Sequence, residues 1–270
     1  MRYLTSSWRL LCALTLAALV AGCATKTPEQ RARGEIFDPY ENTNRSIHAF
    51  NRGVDKAIFR PASKGYVTVV PAPVVTGFSN FAENLSYPGQ ALDFLLQGNP
   101  REACIAVGRF LLNTTYGLAG FFDPASEMNI PRVDTNFGET LHVWGFGEGA
   151  YVELPLYGPS TTRDAVGVVT NAITNPLGFG IVRPVENIGV YAEVLRRMGD
   201  RGNFSDTVDS ILYGSADSYA QARLIYLQNR RFELANSGSG STLDLYADPY
   251  AEFDTGTDVY DDPYEDPYAQ

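Results

Sequence analysis

The chain of 270 residues holds only two histidines and three cysteines, and this scarcity removes several kinds of chemistry at once. Cys12 lies within the N-terminal apolar run and Cys23 at its end, so Cys104 is the thiol left to the body and no intrachain disulfide is expected. No His, Cys or carboxylate pair stands at helical ligand spacing, so neither a metal nor a resident cofactor is expected. His48 falls on an amphipathic helix, where a polar-edge or membrane-interface place is expected of it. Basic excess is also lacking: the formal net charge is −10, which excludes the electrostatic footprint of a nucleic-acid binder. Much of that acidity lies from Asp244 onward, a stretch with no base at all.

Long apolar runs are missing too. The longest, Leu10 to Val20, is too short to span a bilayer, and with Arg2 and Arg9 before it reads as a secretory signal. It ends in Val20-Ala21-Gly22-Cys23, which resembles the bacterial lipobox. Cys23 is then the expected lipidation site, carrying a diacylglycerol and an N-acyl chain once residues 1–22 are removed, and two or more chains make a stable anchor. Position 24 is Ala; by resemblance to enterobacterial lipoproteins, the lack of Asp there favours the outer membrane. Residues 23–37 form a polar tether.

The body, 38–235, is expected to be all-α. Ile47, Phe50, Val54 and Ile58 recur at steps of three and four, giving an amphipathic helix that Pro61 should end. Val74, Phe78, Phe81 and Leu85 repeat the pattern up to an expected break at Tyr87-Pro88, after which a short helix carries Leu92, Leu95 and Leu96. Asn99-Pro100-Arg101-Glu102 reads as a cap, a first-turn proline and an N-terminal acid. Further helices are expected over 136–144, 160–174, 183–198 and 215–235. Tyr66 to Val70 and Tyr151 to Leu156 read as extended connectors or edge pieces, being bounded or interrupted by Pro71 and Pro155. Beyond Asn236 a Gly/Ser linker and three Asp-Pro-Tyr repeats predict a disordered acidic tail over 236–270.

The stretch YVELPLYGPSTTRDAVG tests for catalysis. A nucleophile elbow at Ser160 would need a glycine at 162, where Thr stands, and a Walker-type loop would need Gly-Lys-Ser/Thr. Helix chemistry remains: Ser160 as cap, Asp164 in the first turn and Arg163 paired with it. A serine esterase using Ser160 and His142 is the enzymatic alternative, and a structural envelope lipoprotein without transport is the other. What the chain has in abundance is Phe, Tyr and Gly on amphipathic helices. Whether the apolar faces turn inward to a core or outward to lipid is not decided by periodicity.

Several ordered segments, DPYENTNRSIHAFNRGVDKAIFRP, GFSNFAENLSYPGQALDFLLQGNP, RFLLNTTYGLAGFFDPA, FGETLHVWGFGEGAYVELPLYGPSTTRD and SYAQARLIYLQNRRFELA, resemble the MlaA (VacJ) family of outer-membrane lipoproteins. The resemblance implies a ring-like helical domain with an amphipathic central channel, seated in the periplasm-facing leaflet of the outer membrane. It implies that phospholipid strayed to the outer leaflet passes through to a periplasmic MlaC-like lipid carrier, with a trimeric porin as further partner and no bond made or broken. It places Phe50 and Asn51 beside the lipid channel. The acidic tail departs from the family's ending.

Overall fold

The computed structural model describes residues 36–174 and 188–237. Helix α1, Glu41–Val54, is strongly two-faced, and the side chains it buries fully are polar. Asn44 and His48 are buried, whereas Phe50 is 54% exposed and Ile58, one helical repeat beyond Val54, is exposed as well. The polar face is turned inward because it has backbone to satisfy. Strands β1, Tyr151–Leu154, and β2, Gly158–Thr161, form an antiparallel hairpin, Tyr151 opposite Thr161. This leaves one edge of β1 with unpaired amides and carbonyls. Asn44 donates to Tyr151 O at 3.1 Å and accepts from Glu153 N at 3.0 Å. Asn51, two turns on, donates to Leu154 O at 2.9 Å and accepts from Leu156 N at 2.7 Å. Two carboxamides thus stand in for the missing neighbour strand.

The chain does not stop at Pro61. A π-helical turn, Asp55–Phe59, leads directly into α2, Arg60–Val69, in whose first turn the proline sits. Its missing N–H costs little there, and the wider π turn takes the place of the carbonyl clash that an α-helical proline would make. Tyr66 to Val69, expected to be extended, is helical. Val67 lies against Gly202 of α8, Ile188–Asn203, where a Cβ would come within 2.5 Å of its methyl, so tertiary packing overrides the β-branched composition. Tyr151 to Leu156 is an edge strand and its turn, in keeping with the edge piece expected there.

Helix α3, Ala72–Leu96, also runs unbroken through Pro88, against expectation. The turn around the proline is laced by side chains: Ser86 Oγ donates to Glu83 O at 2.7 Å, Gln90 Nε2 to Ser86 Oγ at 2.8 Å, and Tyr87 OH to Glu83 Oε1 at 2.8 Å. α3 packs along α4, Pro100–Thr115, and along α8. Between α3 and α4 lies the apolar core of Tyr87, Ala91, Phe94, Ala103 and Ala106, joined by Phe110 and Val133. α4 begins at Pro100 as expected, although the Asn99 side chain makes no capping bond. Short helices α5, Pro124–Glu127, and α6, Phe137–Val143, follow, then the hairpin, α7, Thr162–Thr174, α8, α9, Ser205–Asp209, a second π-helical turn, Ser210–Gly214, and α10, Ser218–Ser237. The fold is all-α apart from the hairpin. The chain divides into two compact units, to Asn229 and from Arg230, of which the second is described only at the end of α10. Cys23, the tether up to 35, the segment 175–187 and the acidic tail from 238 lie outside the described residues.

The largest fully buried side chain is Arg109 on α4. Its Nη2 donates to both Asp123 oxygens at 2.9 Å, Nη1 to Ile130 O at 2.6 Å and Nε to Tyr87 OH at 2.7 Å. Asp123 in turn caps α5 and accepts from Asn113. Burial alone would raise the Asp123 carboxyl, but hydrogen bonds from Ser126, Arg132 and Asn113 and the Arg109 charge hold it well below the usual carboxylate range. A charge pair this enclosed is costly to break from one side. Arg109→Leu is expected to lower stability by about 3–5 kcal/mol, measured as the unfolding midpoint in detergent, and Lys at 109 should recover little because it cannot fork onto the carboxylate.

Candidate functional site: a polar cavity within an apolar exterior

A cavity of about 600 Å³ opens beside α3. Ala82, Glu83, Ser86, Gly89, Gln90 and Asp93 recur along one stripe of the helix and form one wall. The loop 132–135, Tyr157 in the hairpin turn, Asn171 of α7, and Glu193 and Arg196 of α8 complete it. The wall is charged. Arg132 pairs with Glu83 at 3.4 Å and with Asp123 at 2.9 Å; Arg196 pairs with Glu193 at 2.8 Å and Asp200 at 2.9 Å. Asp93 is different. It is 4% exposed and no described cation faces it; burial, and next the charge of Glu139 on α6, push its carboxyl up to about 7.

The exterior carries many exposed apolar side chains. Phe50 and Ile58 on the first helical run, Leu92, Leu95 and Leu96 on α3, Val107 and Leu111 on α4, and Trp144 and Phe146 after α6 are all substantially exposed. Among the described residues no helix is long and apolar enough to cross a membrane, and no His/Cys/Asp/Glu group could hold a metal ion.

The structure separates the residues singled out in the sequence. Phe50 lies on the exposed face of α1. Asn51 is bound to the hairpin; neither lines the cavity, but the turn that Asn51 holds carries Tyr157, which does. Ser160 does not cap the helix. It is the third residue of β2, 1% exposed, and its hydroxyl donates to Thr161 O at 3.3 Å. The cap is one residue on: Thr161 Oγ1 accepts from Asp164 N at 3.2 Å and donates to Asp164 Oδ2 at 2.9 Å, because α7 begins at Thr162. Arg163, buried, reaches Asp164 at 3.4 Å and lies 3.3 Å from His142 Nδ1. Tyr226 OH also donates to Asp164 Oδ2, at 2.9 Å, fastening α10 to the start of α7.

His48 is buried rather than at a polar edge. Nδ1 lies 3.2 Å from Glu153 Oε1 and Nε2 lies 3.1 Å from Ser218 Oγ. The order of groups is that of a hydrolytic triad, yet all three are enclosed, Tyr151 OH binds the other Glu153 oxygen, and none lines the cavity. The arrangement joins α1, β1 and α10. No local signal in the sequence marks it, since its members are 105 and 170 residues apart. The acidic wall stripe was legible only in hindsight, because Glu83, Gln90 and Asp93 lie among apolar residues whose periodicity dominates.

Polar residues inside and greasy ones outside define a class: a helical protein built to stand against lipid while keeping a polar chamber. Residues 36–233 match the family model described as MlaA lipoprotein, and the chain belongs to that family. It is 36% identical over 233 residues to the intermembrane phospholipid transport system lipoprotein MlaA of Shigella flexneri, covering 84% of this chain and 89% of that protein. It is 37% identical to the protein of the same description from Haemophilus influenzae, over 83% and 90% of the two chains. It is also similar to a solved structure described as "Structural basis for maintenance of bacterial outer membrane lipid asymmetry", with TM-score 0.63 and 32% identity, over 74% of this chain and 99% of that one.

Two predictions follow the geometry. Thr161→Ala is expected to cost about 1 kcal/mol of stability, and Ser160→Ala less, in matched denaturant titrations. Because the folded Asp93 holds its proton more tightly than the unfolded carboxyl, its ionisation opposes folding. Stability should therefore fall as pH rises from about 4 through about 7, and Asp93→Asn should flatten that slope in melting curves taken across the range.

Proposed function

We propose that this chain is a lipid-anchored outer-membrane protein that takes phospholipid from the outer leaflet and passes it to a soluble periplasmic lipid carrier of the MlaC type, maintaining lipid asymmetry. The observation that carries this reading is the inverted polarity: exposed Phe and Leu flanks around a cavity walled by carboxylates and guanidiniums. Flanks of that kind are at home in the acyl region, and a headgroup drawn inward meets charged partners it would otherwise find only in water. The seat is the periplasm-facing leaflet, with Cys23 as the acylated anchor, and a trimeric porin is the further partner. No covalent step is involved, and no cofactor beyond the acyl chains of Cys23 is required.

The test is deletion of the chromosomal copy, followed by measurement of outer-leaflet phospholipid and detergent sensitivity under complementation. Wild type and Ser160→Ala should both restore the barrier. Ala82→Trp, which fills the cavity from α3, should fold and localise but fail to restore it, and Cys23→Ala should leave processed protein in the soluble periplasmic fraction or accumulate precursor. Full rescue by a folded Ala82→Trp protein would sink transport through this cavity, and loss of rescue by Ser160→Ala would favour chemistry.

A further inference from the structure

The cavity wall carries acceptors that no described residue answers. Gln90 is 8% exposed, and its Oε1 has no hydrogen-bond partner. The amide orientation is fixed by its neighbour: Ser86 spends its proton on Glu83 O, so Ser86 Oγ must accept from Gln90 Nε2, and Oε1 is the atom left over. One turn along α3, the Asp93 carboxyl is buried with no described cation facing it and the like charge of Glu139 acting on it. The two guanidiniums on the wall, Arg132 and Arg196, are each already divided between two carboxylates. Of the described carboxylates on the lining, Glu83 is met by Arg132 and Glu193 by Arg196 and Arg197, whereas Asp93 has no described cation beside it.

Resting on the transport reading above, we propose that Gln90 and Asp93 form a headgroup-selecting site for phospholipids with a primary ammonium, of the phosphatidylethanolamine class. An –NH₃⁺ group offers several donors and a charge, which would satisfy the orphaned Gln90 oxygen and the uncompensated carboxylate together. A quaternary ammonium has the charge but no N–H, and so leaves Gln90 Oε1 unmet. A net anionic headgroup brings no positive charge to Asp93. The phosphate, two carbons from the ammonium, falls to the remaining donors of Arg132 or Arg196. A metal ion is the poorer occupant, since no group of three ligating side chains exists among the described residues.

The experiment exposes the full-length lipoprotein in detergent to mixed micelles of phosphatidylethanolamine, phosphatidylcholine and phosphatidylglycerol, equimolar and with identical acyl chains, then repurifies it and quantifies bound headgroups by mass spectrometry. The wild type should hold the ethanolamine lipid in about tenfold excess over each of the others, the factor that one charge-assisted hydrogen bond is worth. Asp93→Asn and Gln90→Leu should each bring the three lipids towards parity with total bound lipid maintained, and Gln90→Lys should turn the preference to the glycerol lipid. Lipid bound by the wild type without preference overturns the selection and leaves the transport reading standing. An unchanged preference in folded Asp93→Asn and Gln90→Leu proteins overturns the site. No lipid bound at all overturns the transport reading, and the site with it.

Discussion

The free edge of a small hairpin is the constraint from which the arrangement around it follows. β1 has no strand on its outer side, and an unpaired strand edge buried in protein is expensive. Asn44 and Asn51 meet it with carboxamides, each supplying a donor and an acceptor to main-chain groups of β1 and its turn. To do so they must lie on one face of α1, and that face must point inward. The stripe containing Phe50 is thereby committed outward, and its orientation is set by hydrogen bonding rather than by hydrophobic burial.

The same logic recurs away from α1. Arg109, Asn113, Asp123 and Tyr87 hold α4 against α3 and α5 through a buried network in which nearly every donor has a named acceptor. Asp209 gathers Arg60, Lys64 and Arg201 between α2, α8 and α9, and Asp55 takes the other side of Arg201. Beside the apolar core between α3 and α4, polar contacts share the role of specifying the fold. Such networks define geometry well because partly satisfied alternatives are costly.

The helices and their apolar periodicity were legible in the sequence. Their direction was not, because a period of three and four reads identically whether the stripe meets a core or a membrane. Pro61 and Pro88 misled for a different reason: the rule that proline ends a helix is local, whereas a preceding π turn in one case and a laced turn packed between α4 and α8 in the other let the helix continue. The shift from Ser160 to Thr161 is a matter of register, since a Ser-Thr-Thr run offers three chemically equivalent caps and only strand pairing with β1 decides among them. Within the cavity, Gln90 and Asp93 carried no motif. Their meaning lies in partners they lack, which is a property of three-dimensional space.

The pairing of α1 with distant chain has a temporal side. His48 reaches Ser218 across 170 residues, Arg45 reaches Asp217 across 172, and Asp55 meets Arg201 across 146. Closing such separations is entropically demanding and slow compared with forming any single helix. The first of the described helices is therefore fixed late, since its polar face has nothing to bind until the hairpin and the start of α10 exist. During that interval both faces of α1 are uncovered, and the order of synthesis runs opposite to the order of assembly.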